Sequence, residues 1–97
     1  MGDAAQLHRA VEARGRDRRA AAGYFASSAL LDKKNADTWL RLAREYLAIE
    51  TEKYSEKIAF ARNAGSAAYL AYARADAPEA KAKALAVLAE SLGARDQ

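Results

Sequence analysis

Three observations on the sequence predict an all-α protein: its composition, the absence of an alternating run and an apolar stripe at helical spacing. Alanine is very frequent, β-branched side chains are few, and the only proline is Pro78. Alanine favours helices because it loses no side-chain entropy when the helix forms. No run alternates with period two, so we expect no sheet. An apolar stripe with spacing i, i+3, i+4, i+7 occurs twice, which places four side chains on one helix face each time.

The two stripes lie 46 residues apart in the chain. Their members are Trp39, Leu42, Ala43 and Tyr46 in the first copy, and Leu85, Leu88, Ala89 and Leu92 in the second. A stripe that recurs after a helix-turn-helix interval is typical of stacked helix pairs. We expect both stripes to lie in the core. Helical spacing also favours core packing over a recognition site for the aromatic residues Phe25, Trp39, Tyr46 and Tyr72.

We predict one domain of about five helices over residues 1–97. The helices span residues 3–14, 17–31, 36–49 and 66–75, and from the start signal at 76–79 to residue 92. Gly15 is expected to end the first helix, as glycine often does, and Asp3 and Asn35 to cap the first and third. The last helix has an acidic residue, a proline and a glutamate in its first turn. We interpret this helix as the first half of a helical pair whose second half is absent, so we expect a longer parent protein.

Residues 50–64 carry charge and aromatic side chains without a clean period. We interpret them as an irregular insert, with one short helical turn starting at Ser55. Gly65 and Ser66 would then restart regular structure, and Ala68, Tyr72 and Ala75 would share one face of the next helix.

The formal net charge is +3, and the whole excess lies in the first third of the chain. Residues 1–34 carry seven basic and four acidic side chains, whereas residues 35–97 carry nine of each. The excess surrounds Arg14, Arg16, Arg18 and Arg19, in the first predicted turn. This basic turn could contact phosphate or an acidic peptide, or it could be a solvated turn. Nucleic-acid binding is disfavoured because no aromatic residues interleave with these arginines.

The residues that catalysis needs are absent or isolated. The chain has no cysteine, which excludes disulfides and thiolate metal sites. His8 is the only histidine, and with Glu12 it could hold a metal only with ligands from a partner. The serines have no conventional base other than His8. We therefore expect no catalytic residue, no metal and no cofactor, and no membrane contact, because no apolar run approaches the length of a span.

The third predicted helix carries a second apolar line, formed by Leu40 and Leu47, with Arg44 between them. A helix that is apolar on two faces usually touches two neighbours. This helix is therefore expected to lie between other helices.

These patterns resemble tetratricopeptide repeats. The first helix of that repeat carries the pattern found at Trp39, Leu42, Ala43 and Tyr46, and the second helix carries the pattern found at Ala68, Tyr72 and Ala75. Ala21, Phe25 and Ser28 fit the second pattern with one substitution. The resemblance implies helical hairpins that form a fragment of a right-handed α–α superhelix. Lys33 replaces the usual proline, and the stripe spacing exceeds the family period of about 34 residues because of the insert.

The order of segments is similar to a repeat region near the N-terminus of bacterial alpha-2-macroglobulin-like proteins. The similarity covers residues 17–97 and rests on "TWLRLAREYLA", "YSEKIAFARNAGSAAYLAYARA" and "APEAKAKALAVLAESLGARDQ". Those proteins are large periplasmic protease traps, usually membrane-anchored. Their thioester needs a cysteine, so the resemblance implies that the trapping chemistry lies elsewhere in the parent. This segment would then be a periplasmic scaffold or docking module.

In repeats of this kind the first helix lines a concave groove. The resemblance implies that Asp37, Leu40, Arg44 and Leu47 point into it, although they could instead pack on the next repeat. The predicted function is therefore non-catalytic, with a protein partner or a further domain of the parent and no small-molecule substrate. A free-standing adaptor that binds a peptide in the same groove is the alternative.

Overall fold

All the regular secondary structure in the part of the chain that the structure describes is helical. This computed structural model describes the backbone of residues 3–95, and the side chains of that range except 3–5, 7, 8, 11 and 12. Its helices are α1 (Asp3–Leu31), α2 (Ala36–Ala48), α3 (Tyr54–Arg74) and α4 (Pro78–Arg95). No strand occurs between residues 3 and 95. The all-α prediction is thus confirmed, and four helices take the place of the expected five.

Helix α2 lies at the centre of the fold and packs against all three other helices. Arg14 of α1 contacts Glu50 while Arg18 contacts Glu45, so α1 and α2 run antiparallel. Helices α2 and α3 are antiparallel by the same criterion, and so are α3 and α4. The contacts that show it are Tyr46–Phe60 and Trp39–Arg74 between α2 and α3, and Gly65–Ser91 and Tyr72–Lys81 between α3 and α4. Helices α2 and α4 therefore run parallel, side by side.

Helix α1 is continuous, so the predicted break at Gly15 is wrong. Gly15 is buried inside the helix, and a Cβ atom there would lie 2.6 Å from the carbonyl oxygen of Glu50. The glycine is therefore needed because it allows another backbone to approach closely, and not because it ends a helix. The predicted cap at Asp3 lies outside the described side chains.

Helix α2 begins where the sequence predicts. The side chain of Asn35 accepts hydrogen bonds from the backbone N–H groups of Asp37 (3.1 Å) and Thr38 (3.4 Å). Two of the amides that lack a partner within the helix are thereby satisfied. The helix ends at Ala48, one residue before the predicted end, and Ile49 is buried beyond it.

The predicted irregular insert at residues 50–64 is wrong for most of its length. Residues 50–53 form the connection, whereas residues 54–64 are the first three turns of α3. The helix also continues through Gly65 and Ser66. Alanines recur along one face at intervals of three and four residues, and they are Ala61, Ala64, Ala68, Ala71 and Ala75. This alanine ladder keeps one helical face small and buried along most of α3.

The second apolar stripe does not lie in the core. In α4 the buried residues are Ala84, Val87 and Ser91, whereas Leu85 and Leu92 are exposed by 47 and 48%. The helix starts at Pro78 and passes through Gly93 to Arg95. The face that packs on α3 is therefore rotated away from the predicted stripe, and Ser91 on that face lies against Gly65.

The first stripe does form the core, as predicted. Trp39, Leu42 and Ala43 are 8, 4 and 0% exposed, and Tyr46 packs against this cluster as a partly buried side chain. The indole N–H of Trp39 donates a hydrogen bond of 2.9 Å to the carbonyl oxygen of Lys33. Arg74 lies over the indole ring, 5.8 Å from its centroid.

We predict that Trp39→Ala lowers the free energy of unfolding by about 3–5 kcal/mol, as truncation of large buried aromatics does. Urea denaturation followed by circular dichroism measures the change. An unchanged denaturation midpoint would show that the indole contributes nothing to the core.

We predict opposite effects for two alanine substitutions in α1. Gly15→Ala should destabilise the protein by about 1–3 kcal/mol, because the added methyl group collides with the Glu50 carbonyl. Gly23→Ala should stabilise it by roughly 0.5–1 kcal/mol, since a Cβ there has no neighbour within 4 Å and alanine favours the helix. The same denaturation assay measures both. Stabilisation by both variants would contradict the close approach at Gly15.

Candidate functional site

Three of the four predicted groove residues line one shallow groove. Asp37, Leu40 and Arg44 of α2 face Glu79 and Lys83 of α4 across a space of about 260 Å³. Parallel packing of α2 and α4 produces this arrangement, because the first turns of both helices lie at the same end of the fold. We call this space the α2–α4 groove.

The groove has a floor of small apolar side chains and a rim of alternating charge. Leu40 is 7% exposed and belongs to the core. The remaining apolar lining residues are all alanines, namely Ala36, Ala71, Ala77 and Ala80. On the rim, Asp37 is paired with Arg41 at 2.9 Å, whereas Arg44 and Lys83 make no ion pair with a described side chain. A ligand segment that fits must be slim; an acidic group on it would lie beside Arg44 and Lys83, and a basic group would lie beside Glu79.

Leu47 lies elsewhere, in a larger cavity at the opposite end of α2. This cavity has a volume of about 610 Å³ and lies at the α2–α3 connection. Its large apolar and aromatic lining residues are Tyr46, Leu47, Ile49, Tyr54 and Phe60. The sequence interpretation missed it because residues 50–64 were not recognised as helical. The regular spacing of the alanine ladder is the signal that could have revealed the continuous helix.

The predicted basic turn is an ion-paired seam between helices. Arg14 donates hydrogen bonds to both carboxylate oxygens of Glu50 at 2.9–3.0 Å, and Arg18 donates to Glu45 at 3.2 and 3.3 Å. Arg19 pairs with Glu56 and lies 5.3 Å from the ring centroid of Phe60. The three pairs connect α1 to α2, to the α2–α3 connection and to α3.

Arg16 differs from the other three arginines of the cluster. It is exposed and makes no ion pair with a described side chain. Most of the positive charge that the sequence suggested for phosphate binding is thus neutralised by glutamates from distant parts of the chain.

The Arg14–Glu50 pair changes the titration of both groups. The hydrogen bond from Arg14 is the main reason that the pKa of Glu50 lies below its ordinary value. The positive charges of Arg14 and Arg18 act in the same direction, and desolvation opposes them. The hydrogen bond to Glu50, followed by its negative charge, raises the pKa of Arg14.

The side chains of His8 and Glu12 lie outside the described residues. Among the described residues, no three His, Cys, Asp or Glu side chains are grouped closely enough to hold a metal ion. Within residues 3–95, no helix combines the length and apolar character that a membrane crossing requires.

Comparison with known proteins found no matching protein family, no matching curated protein and no matching solved structure.

We predict that Glu50→Gln lowers the melting temperature at neutral pH and that this difference disappears in acid. Because the folded-state pKa of Glu50 is lowered, the stabilisation is fully present above the ordinary carboxyl pKa of about 4.3 and is lost as pH falls through the lowered value. Thermal denaturation of both proteins across acid and neutral pH measures it.

The matched control for this experiment is Glu90→Gln. Glu90 is exposed on α4 and makes no ion pair with a described side chain, so its replacement should give no such difference. A gap between wild type and Glu50→Gln that stays constant across the acid range would contradict the ion pair.

Proposed function

We propose that the chain is a non-catalytic protein-interaction or scaffold module with the architecture of tetratricopeptide repeats. The observation that carries the proposal is the parallel placement of α2 and α4, with α3 antiparallel to both and packed against both. In such repeats the first helices of successive hairpins line one common groove. In this proposal that position belongs to Asp37, Leu40 and Arg44, which line the α2–α4 groove.

The proposed parent is a bacterial alpha-2-macroglobulin-like protease trap in the periplasm. Its support is the resemblance of residues 17–97, whose extra residues relative to a standard repeat form the first turns of α3. In this proposal the module braces or docks another part of the trap. The thioester chemistry belongs to a different region.

A free-standing adaptor that binds a peptide is the second candidate. The α2–α4 groove favours it, because Arg44 and Lys83 offer two cations beside a floor of small side chains. An extended peptide with a small apolar residue beside an acidic residue matches this surface. Nucleic-acid binding is less favoured, because Arg14, Arg18 and Arg19 already pair with glutamates.

Selection of peptides from a displayed random library tests the interaction function directly. The purified chain serves as bait, and the enriched peptides are resynthesised and titrated by fluorescence anisotropy. The proposal expects a consensus with an acidic residue, and amide shifts in α2 and α4 when the peptide is added to isotope-labelled protein. Absence of any enriched consensus, or shifts confined to α1, would count against the α2–α4 groove.

We predict that Arg44→Ala lowers the affinity for the selected peptide about tenfold, which corresponds to roughly 1.4 kcal/mol of binding free energy. Arg44 is exposed, so the same substitution should change the free energy of unfolding by less than about 0.5 kcal/mol. Arg16→Ala is the matched control, because it removes another exposed arginine, from α1. Equal affinities of all three proteins would show that Arg44 takes no part in binding.

A further inference from the structure

A second surface of the protein presents large apolar side chains that the groove does not use. Leu85 and Leu92 of α4 are exposed by 47 and 48%, and Tyr69 of α3 is exposed by 61%. Leu88 lies between the two leucines on the same helical face and is partly buried. The surface therefore contains most of the second apolar stripe of the sequence.

Tyr69 and Leu88 line a trough between α3 and α4 with a volume of about 660 Å³, and Leu85 and Leu92 lie one turn before and one turn after Leu88 on α4. Gly65, Tyr69 and Leu70 line its α3 side, and Leu88 lines its α4 side. It shares no lining residue with the α2–α4 groove. We call this surface, with Leu85 and Leu92, the α3–α4 trough.

Among the described residues that line the trough, the only charged side chains are positive. They belong to Arg62 of α3 and Arg95 of α4, and neither makes an ion pair with a described side chain. This differs from the α2–α4 groove, where acidic and basic residues alternate. A partner that covers the trough must therefore bring carboxylates to its edge, since like charges across an interface are unfavourable.

The fold itself shows what covers such a stripe. The first copy of the stripe, in α2, is buried in one cluster with Ala68 and Ala71 of the alanine ladder of α3. The larger contacts Tyr46–Phe60 and Trp39–Arg74 lie beside this cluster. Helix α3 carries the alanine ladder, which allows close approach. The second copy repeats the spacing 46 residues later and is uncovered. The complementary shape is therefore an α-helix with small apolar side chains along one face.

We propose that the α3–α4 trough binds an amphipathic α-helix of a separate protein partner. A face of small apolar side chains on that helix covers Leu85, Leu88 and Leu92, and acidic side chains beside this face pair with Arg62 and Arg95. This is helix-in-groove recognition with a charged rim.

The test uses a peptide of known sequence as the probe. The peptide has the 21-residue sequence of α3, with its three basic residues replaced by glutamate. A second peptide keeps the original basic residues and serves as the control. Fluorescence anisotropy of each labelled peptide, titrated with the whole chain, should show saturable binding of the acidic peptide and at least about tenfold weaker binding of the basic one.

Variants of the chain locate the binding. Leu92→Glu should abolish it, because a carboxylate would then occupy the apolar face. The double variant Arg62→Glu/Arg95→Glu should reverse the preference, so that the basic peptide binds better than the acidic one. Arg16→Glu is the control and should leave both affinities unchanged. Circular dichroism melts establish that each variant is folded, which is expected because all these side chains are exposed.

Three results would overturn the proposal. One is failure of the acidic peptide to saturate at about 1 mM chain. Another is binding that persists in Leu92→Glu or does not depend on the charge of the peptide. The third is a dimer of the chain in sedimentation equilibrium that Leu92→Glu dissociates, because the trough would then be covered by a second copy.

Discussion

Close approach of helix backbones through small side chains is the constraint on which this structure depends. The alanine ladder of α3 packs between neighbouring helices, and Gly65 allows the buried Ser91 of α4 to lie against it. Gly15 of α1 likewise allows the carbonyl oxygen of Glu50, in the connection after α2, to lie close to the helix. Most buried side chains are alanines, and the larger buried ones are few, so close packing of backbones adds to the stability that the larger groups contribute. Even one added methyl group is therefore significant at these positions.

Local signals in the sequence were enough for the helical class and for α2. The cap at Asn35 and the stripe around Trp39 depend only on residues within one or two turns of each other. The glycines could not be interpreted in this way. A glycine that ends a helix and one that admits another backbone look alike in sequence, and only the distant partner distinguishes them: Glu50 for Gly15 and Ser91 for Gly65. The alanine ladder was the one local sign that α3 is continuous.

The candidate sites were predictable to the extent that they belong to a single helix. The resemblance to tetratricopeptide repeats assigned Asp37, Leu40 and Arg44 to one groove, and they line one groove because they share one face of α2. Leu47 lies further along α2, and its environment is set by the connection to α3, which the sequence did not reveal. The sequence showed the arginine cluster, but it did not show that glutamates pair with three of its four arginines. Its glutamate partners lie 27–37 residues away, a distance that no spacing rule covers.

Two kinds of interface hold the helices of this fold together. The N-terminal half of α1 is held in part by ion pairs whose arginine side chains are about half exposed, and such pairs are individually weak and screened by salt. Helices α3 and α4 are held by close packing, on which salt has little direct effect. Both surfaces that we propose for binding lie on α2, α3 and α4. The residues that line both surfaces therefore belong to α2, α3, α4 and the connection between α3 and α4, and none of them takes part in the ion pairs of α1.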